Sequence, residues 1–332
     1  MLRLEVETDT LRLAEPFRIA GYVFETADVL VVTLDDGTHR GHGEAAGVYY
    51  LGDDLAHMRA EIEGARAAIE AGPSREELRA ILPPGGARNA VDAALWELEA
   101  ARAGKPVWAL AGLKDAPKAI VTTFTVSADT PAAMAAKATS YVGARSIKVK
   151  LTGELELDLA RVAAIRAARP DVWLGVDGNQ GFQRGDLDAL VAGLVVNGVA
   201  LLEQPLARGA EAELEGFVSP VPIAGDESLI YLADVAGAKG RFDVVNIKLD
   251  KCGGLTEGLL MAAEARRLGL GVMVGTMVGT SLATAPGFVL GQIADLVDLD
   301  GPTFLEQDRR PSVTYADGTL YASDEVWGSG RS

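Results

Sequence analysis

The 332-residue chain is poor in several residues that carry common chemistries. A single cysteine, Cys252, excludes an internal disulfide, and one thiol with three scattered histidines offers no zinc or haem spacing. Positive charge is scarce: 31 lysines and arginines against 47 acids leave a formal net charge of −16 and a pI near 4.7. That balance repels nucleic acid phosphates and anionic lipid over most of the surface. Long apolar runs are missing as well. Met1-Leu2-Arg3-Leu4-Glu5-Val6-Glu7 alternates charged with apolar residues and lacks the apolar stretch of a signal peptide. The most apolar region, 268–297, is broken by Gly275, Gly279, Pro286, Gly287 and several threonines, so it reads as buried strand, loop and helix rather than a membrane span. These absences lead us to expect a soluble, cytoplasmic protein with neither nucleic acid nor membrane as partner.

What is present divides into two grammars. Residues 1 to about 50 alternate apolar and polar positions, with Val29-Leu30-Val31-Val32-Thr33-Leu34 before the turn Asp35-Asp36-Gly37, and read as antiparallel strands. Met58, Ile62, Ala65 and Ile69 then mark one face of a helix ended by Gly72-Pro73. Ser74-Arg75-Glu76-Glu77 supplies a capping box for a short second helix, and a third runs from about Arg88 to Ala103. The first 115 residues are therefore expected to form an α+β domain. After Ala119 short β-rich runs alternate with helical ones: Ile120–Val126, Ser146–Leu151, Val172–Val176, Val199–Leu202, Pro222–Ala224, Val244–Ile247, Gly271–Val274 and Leu296–Leu299. About eight such units predict a parallel α/β barrel over 116–302.

Charged residues close these runs: Lys150, Asp177, Glu203, Asp226, Lys248 and Asp298. Each separation is about one βα unit, or two in the last case, so the side chains converge at the C-terminal mouth of the barrel, where barrel enzymes keep their active sites. Asp177, Glu203 and Asp226 are three carboxylates from three neighbouring strands, a donor set suited to a hard cation with open positions, above all Mg²⁺. Lys148 and Lys150 lie two apart on one strand and point to one face. Their mutual repulsion, partial desolvation and a nearby cation would favour a neutral amine, a usable general base. Only nine lysines stand against twenty-two arginines, yet four of the nine are Lys148, Lys150, Lys248 and Lys251. Lys248 ends the strand opposite that of Lys150, so the two could face each other across a substrate. Removing a proton from carbon beside a carboxylate creates an enediolate, whose charge a bound metal stabilises.

Weaker signals are set beside these. Gly41-His42-Gly43-Glu44 resembles a phosphate loop only faintly, with no βαβ unit behind it, and His39, His42 and Glu44 read as a strand surface. Gly253-Gly254 could aim a helix N-terminus at the mouth or simply make a tight turn. Gly275-Thr276-Met277 could line the pocket or only pack.

The segments Lys148-Val149-Lys150, Val176-Asp177-Gly178-Asn179, Leu202-Glu203-Gln204-Pro205, Gly225-Asp226-Glu227-Ser228 and Asn246-Ile247-Lys248-Leu249-Asp250-Lys251-Cys252-Gly253-Gly254 together resemble the enolase superfamily, specifically its muconate-lactonizing-enzyme subgroup, over essentially the whole chain. The resemblance implies an N-terminal α+β capping domain, 1–115, completed by 303–332, on a modified (β/α)8 barrel of (β/α)7β form. It makes Asp177, Glu203 and Asp226 the Mg²⁺ ligands and Lys150 and Lys248 the acid/base pair; a lysine base with Mg²⁺ is known for the superfamily as a whole rather than deduced from this chain. Lys148 would bind the substrate carboxylate, and Lys251 would support the metal ligands. Asp298-Leu299-Asp300 resembles the paired acids with which dipeptide epimerases hold the substrate's α-ammonium. Arg88-Asn89-Ala90-Val91-Asp92 and Gly254-Leu255-Thr256-Glu257 resemble Ala-Glu dipeptide epimerases. Those enzymes carry an arginine in the cap loop near residues 20–25, whereas this chain has Tyr22 and Phe24 there, with Arg18 out of register.

The reading is a Mg²⁺-dependent dipeptide epimerase that inverts the C-terminal Cα by two-lysine 1,1-proton transfer. L-Ala-D/L-Glu, or a dipeptide with an apolar or aromatic second residue, would be the substrate, with Tyr22, Phe24, Thr276 and Met277 beside it. A muconate cycloisomerase, o-succinylbenzoate synthase or N-succinylamino acid racemase would share the metal and lysines but not the aspartate pair. The chain is expected to form a homo-oligomer.

Overall fold

A computed structural model describes residues 1–19 and 21–328. The cap begins with two long antiparallel strands, β1 (Arg3–Ile19) and β2 (Tyr22–Asp35), joined to β3 (Arg40–Ala45). Alternation along β2 buries Leu30, Val32 and Leu34 against Met58, Ile62 and Ile69 of α1 (Leu55–Glu70). The helix α2 (Arg75–Ile81) carries the expected capping box, with Ser74 and Glu77 bonded reciprocally. Almost the whole of α3 (Gly86–Ala103) is buried, because it lies between the cap sheet and the barrel. Gly41 and Gly43 are explained by that packing: a Cβ at either would fall 2.0 Å from a backbone carbonyl of α3, that of Ala94 or Ala90, so the glycines admit a helix and not a phosphate. A short helix, α4 (Val107–Leu110), leads out of the cap.

The run 120–126 splits in two. Ile120–Val121 (β4) leaves the barrel and pairs with the C-terminal hairpin β13 (Thr314–Ala316) and β14 (Thr319–Tyr321), while Phe124–Val126 (β5) becomes the first barrel strand. The residues between close the ring: Thr123 N–H donates to Val297 O, and Leu299 N–H to Thr122 Oγ1. Parallel strands β6 (Ser146–Lys150), β7 (Trp173–Asp177), β8 (Leu201–Glu203), β9 (Ile223–Gly225), β10 (Val244–Lys248), β11 (Gly271–Gly275) and β12 (Leu296–Asp298) follow in order around it. Helices α5 (Pro131–Ser140), α6 (Leu155–Ala168), α7 (Leu187–Val196), α8 (Leu232–Ala238), α9 (Leu249–Cys252), α10 (Leu255–Arg267) and α11 (Ser281–Gly291) connect them. Thr130 caps α5, its Oγ1 accepting from Ala133 N–H ahead of Pro131. The fold is thus a (β/α)7β barrel beneath an antiparallel capping domain. No helix among the described residues is long and apolar enough to cross a membrane.

The C-terminal segment returns to the cap. Glu306 N–H donates to Arg12 O, Trp327 Nε1 to His42 O, and Gly328 N–H to Glu97 Oε1. Glu44 is consequently no strand-surface residue: it is buried, bonded by Thr280 N–H and Oγ1 and by Arg309 Nε.

Candidate active site

A cavity of about 390 Å³ opens where the cap covers the C-terminal ends of the barrel strands. Strand register brings the charges together, because Lys150 pairs with Asp177 across β6 and β7, and Asp177 with Glu203 across β7 and β8. Asp177, Glu203 and Asp226 each present a carboxylate oxygen within 4.8 Å of the others, and all three are buried. Among the described residues one other group meets the same geometric test, Asp53 just before α1 with His57 and Glu61 on it, of which His57 is exposed.

Every lysine singled out in the sequence reaches this centre. Lys150 Nζ donates to Asp177 Oδ2 at 2.6 Å, and Lys248 Nζ to Asp226 Oδ2 at 2.6 Å, from opposite sides of the ring. Lys251 lies beneath them, wholly buried, donating to Asp226 O and Oδ1 and to Asn246 O, which fits a supporting place rather than one facing the cavity. Lys148 meets Asp298 Oδ2 at 2.7 Å, Glu203 Oε2 at 2.8 Å and Asp177 Oδ2 at 3.4 Å. The expected repulsion between Lys148 and Lys150 is therefore not the dominant force. Burial does draw the Lys148 ammonium down, but Asp298, Glu203, Asp177 and Asp226 outweigh it and lift Lys148 well above the ordinary lysine value. Lys248 is raised in the same way, mainly by Asp226.

The carboxylates divide. Burial opposes ionisation of Asp226, yet Lys248, Lys251 and Lys148 hold it well below the usual range. Glu203 is pushed up to about 8 by burial and by the negative charges of Asp177 and Asp226. Its Oε1 accepts from Asn246 Nδ2, while Oε2 is ion-paired with Lys148. Three buried carboxylates with oxygens within 4.8 Å of one another form an all-oxygen donor set that fits a hard divalent cation.

Asp298 and Asp300 both line the cavity. Asp298 is tied to Lys148 and to Thr123 Oγ1, while Asp300 Oδ2 accepts from Thr125 N–H at 2.6 Å. Burial, then the charge of Asp298, pushes Asp300 up to about 7. Thr276 and Met277 line the cavity as the sequence suggested. Gly275 has its own reason: a Cβ there would meet Asn246 Oδ1 at 2.8 Å and Lys248 Cε at 3.0 Å. The Gly253-Gly254 pair makes a tight turn, both residues at positive φ against Arg88 and Asp92 of α3. The start of α10 is occupied by Asp92, which accepts from Thr256 N–H and Oγ1, and so offers nothing to a ligand.

The stretch 20–25 is the tip of the β1–β2 hairpin, with Ala20 outside the described residues. Phe17 pairs with Phe24 and both line the cavity, whereas Arg18 pairs with Val23 on the other face, and both are exposed. Tyr22 does not reach the lining; it is half exposed and stacks on Phe24, its ring edge-on to Tyr49. Sequence reading passed over Tyr49, Tyr50 and Glu227, which complete the wall. Glu227 Oε2 and Tyr50 Oη are buried without a partner, and burial, then Asp226, pushes Glu227 up to about 7. The motif containing Glu227 was the available signal, masked by Asp226 beside it.

Comparison with known proteins agrees with this geometry. Residues 1–112 match the mandelate racemase / muconate lactonizing enzyme N-terminal domain, and residues 132–330 the enolase C-terminal domain-like family. The chain is 40% identical over 323 residues to the L-Ala-D/L-Glu epimerase of Escherichia coli K12, covering 97% of this chain and 100% of that one. An enolase family member from Agrobacterium tumefaciens with homology to dipeptide epimerases, solved with sodium and L-Ala-L-Glu, superposes with a TM-score of 0.94 at 38% identity, covering 99% of this chain and 100% of that one. The dipeptide epimerase from Methylococcus capsulatus, complexed with Mg and L-Arg-D-Lys, gives 0.92 at 28% identity, with 99% and 98% covered. The chain belongs to the mandelate racemase / muconate lactonizing enzyme family of the enolase superfamily, and it is an isomerase.

Proposed function

We propose that the protein is a Mg²⁺-dependent dipeptide epimerase whose substrates carry an apolar or aromatic second residue. The observation that carries the reaction type is the pair Lys150 and Lys248 on opposite sides of one cavity, over three convergent carboxylates. Asp177, Glu203 and Asp226 would hold Mg²⁺, which when bound supplies positive charge to the substrate carboxylate and to the enediolate formed from it. One lysine takes the Cα proton of the C-terminal residue and the other returns one to the opposite face, which inverts the centre. Lys148 adds a further cation beside the developing negative charge. Asp298 and Asp300 face the substrate's α-ammonium, which needs carboxylate partners once it leaves water; a cycloisomerase or succinylbenzoate synthase substrate has no such group.

Specificity rests on what lines the cap side of the cavity. Phe17, Ile19, Phe24, Tyr49, Leu55 and Phe304 form an apolar wall, and the acids there are Asp28, Asp53 and Asp54. The only cations in the described lining are Lys148, Lys150 and Lys248. Arg18 lies on the opposite face of the hairpin, so a glutamate side chain would find no cation near the cap. A library of L-Ala-L-Xaa dipeptides incubated with Mg²⁺ in D₂O, read by mass spectrometry for deuterium at the C-terminal Cα, tests both parts. Fastest labelling is expected for leucine, methionine and phenylalanine. No labelling of any dipeptide would overturn the reaction, and preferential labelling of L-Ala-L-Glu would overturn the specificity.

A further inference from the structure

Lys150 and Lys248 face one cavity from different mounts. The hydrogen bonds described for the segment after Lys150 run to the barrel: Leu151 N–H donates to Asp177 O, and Thr152 N–H and Gly153 N–H donate to Asp158, which Arg161 braces. The segment after Lys248 is gripped from the cap. Arg88 donates to Cys252 O and, at 3.3 Å, to Gly253 O; Asn89 Nδ2 donates to Asp250 Oδ1 at 3.2 Å; and Ala46 N–H donates to the same oxygen at 3.1 Å. Asp250 is thus the point at which two separate parts of the cap meet on the turn that begins at Lys248. One is α3. The other is the 46–54 loop, which lines the cavity with Tyr49, Tyr50 and Asp53 and is closed on itself by hydrogen bonds between Val48 and Asp53.

We propose that Asp250 is a positioning residue that fixes Lys248, and not Lys150, to the cap, so that seating of the 46–54 loop over substrate sets one of the two proton-transfer groups while the other is held by the barrel alone. This rests on the two-lysine reading above. Asp250 is itself buried and touches none of the reacting groups, so it acts through backbone placement. Both of its bonds fall on one oxygen, Oδ1, and burial pushes its carboxyl up to about 7. An asparagine, neutral and with an acceptor oxygen in the same place, can therefore keep both bonds, whereas an alanine keeps neither.

Two lysines on opposite faces give a readout that a general loss of stability would not imitate. Each epimer of a labelled dipeptide gives up its Cα proton to one lysine, and the Lys150→Ala and Lys248→Ala variants, each assayed from both epimers in D₂O with Mg²⁺, identify which. Asp250→Ala is expected to slow exchange from the Lys248-dependent epimer roughly 10- to 100-fold in kcat, the scale of a displaced catalytic group, while the other epimer stays within about three-fold. Asp250→Asn restores the lost exchange. Asn89→Ala, which removes one of the two ties and leaves the loop contact, is expected to show the same epimer bias more weakly, and it serves if Asp250→Ala does not fold. Equal slowing from both epimers, or none in any folded variant, overturns the role of Asp250. Lysine variants with no epimer preference, or wild-type protein that exchanges neither epimer, overturn the two-lysine reading and this inference with it.

Discussion

Replacing Phe24 by arginine should convert the specificity of the cavity towards glutamate. Phe24 is half-buried at the cap wall, its ring 5.3 Å from that of Tyr49 and 5.9 Å from that of Tyr22, and its backbone is fixed opposite Phe17 in the hairpin. An arginine on that strand position starts towards the same cavity, among Asp28, Asp53 and Asp54, where it lowers the local negative potential as well as offering a two-pronged donor. A hydrogen-bonded charge pair with a substrate carboxylate contributes about 1.5 kcal/mol at such a partly open site. Against an apolar substrate the change removes contact with roughly half of a phenyl ring, on the order of 50 Å², or about 1.3 kcal/mol at ~25 cal/mol per Å². The two effects act on different substrates and add in their ratio. The kcat/KM of L-Ala-L-Glu relative to L-Ala-L-Leu should therefore rise by about 3 kcal/mol, close to 100-fold. Polarimetry or deuterium exchange with each dipeptide alone measures it. A folded variant whose ratio moves by less than about three-fold, well under 1 kcal/mol, would refute the placement of the second side chain against Phe24.

Three further outcomes follow from the site. Glu203→Gln removes a negative charge from the carboxylate triad and should weaken Mg²⁺ binding by at least about ten-fold in titration calorimetry, with exchange lost at limiting metal. Gly275→Ala places a methyl against Asn246 and Lys248 and should cut kcat more than KM in the exchange assay if the crowded lysine carries the proton as proposed. Asp250 in the folded protein sits near 7, raised by burial from an ordinary value of 3.8. Its contribution to stability is accordingly complete below about pH 4 and is lost as pH rises through about 7. Thermal unfolding of Asp250→Asn should gain on wild type over that interval, and parallel curves would show that Asp250 ionises as easily in the fold as in the unfolded chain.

Local chemistry made much of this molecule readable in advance. The capping box at Ser74 and Glu77 depends on residues three apart, and the helix begins there. The barrel was readable because six of its eight strands end at or beside a charged residue about one βα unit apart, so Lys150, Asp177 and Glu203 fall into adjacent registers and Asp226 joins them. The run 120–126 misled because β-propensity is continuous across it; only the closing bonds of Thr122, to residues 175 and 177 positions away, and of Thr123, to Val297, divide it.

The remaining misreadings share that cause. Glu44 looks exposed in an alternating strand, yet it is buried and paired by Thr280 and Arg309, 236 and 265 residues on. The lysines were expected to be governed by one another because Lys148 and Lys150 are sequence neighbours, whereas in space Lys148 faces Asp298, 150 residues away, and the carboxylates decide its charge. Asp250 lies between Lys248, which the sequence marks as an acid/base group, and Lys251, which it marks as a support, yet its partners are Ala46 and Asn89, 204 and 161 residues distant in the cap. A cap that had only to cover the barrel would need apolar contact and shape. This one is hydrogen-bonded to the turn beside Lys248, so under the proposed reaction substrate selection at the 46–54 loop and proton transfer at that lysine would share a structural element, and exchange from one epimer should be more sensitive to changes in the cap than exchange from the other.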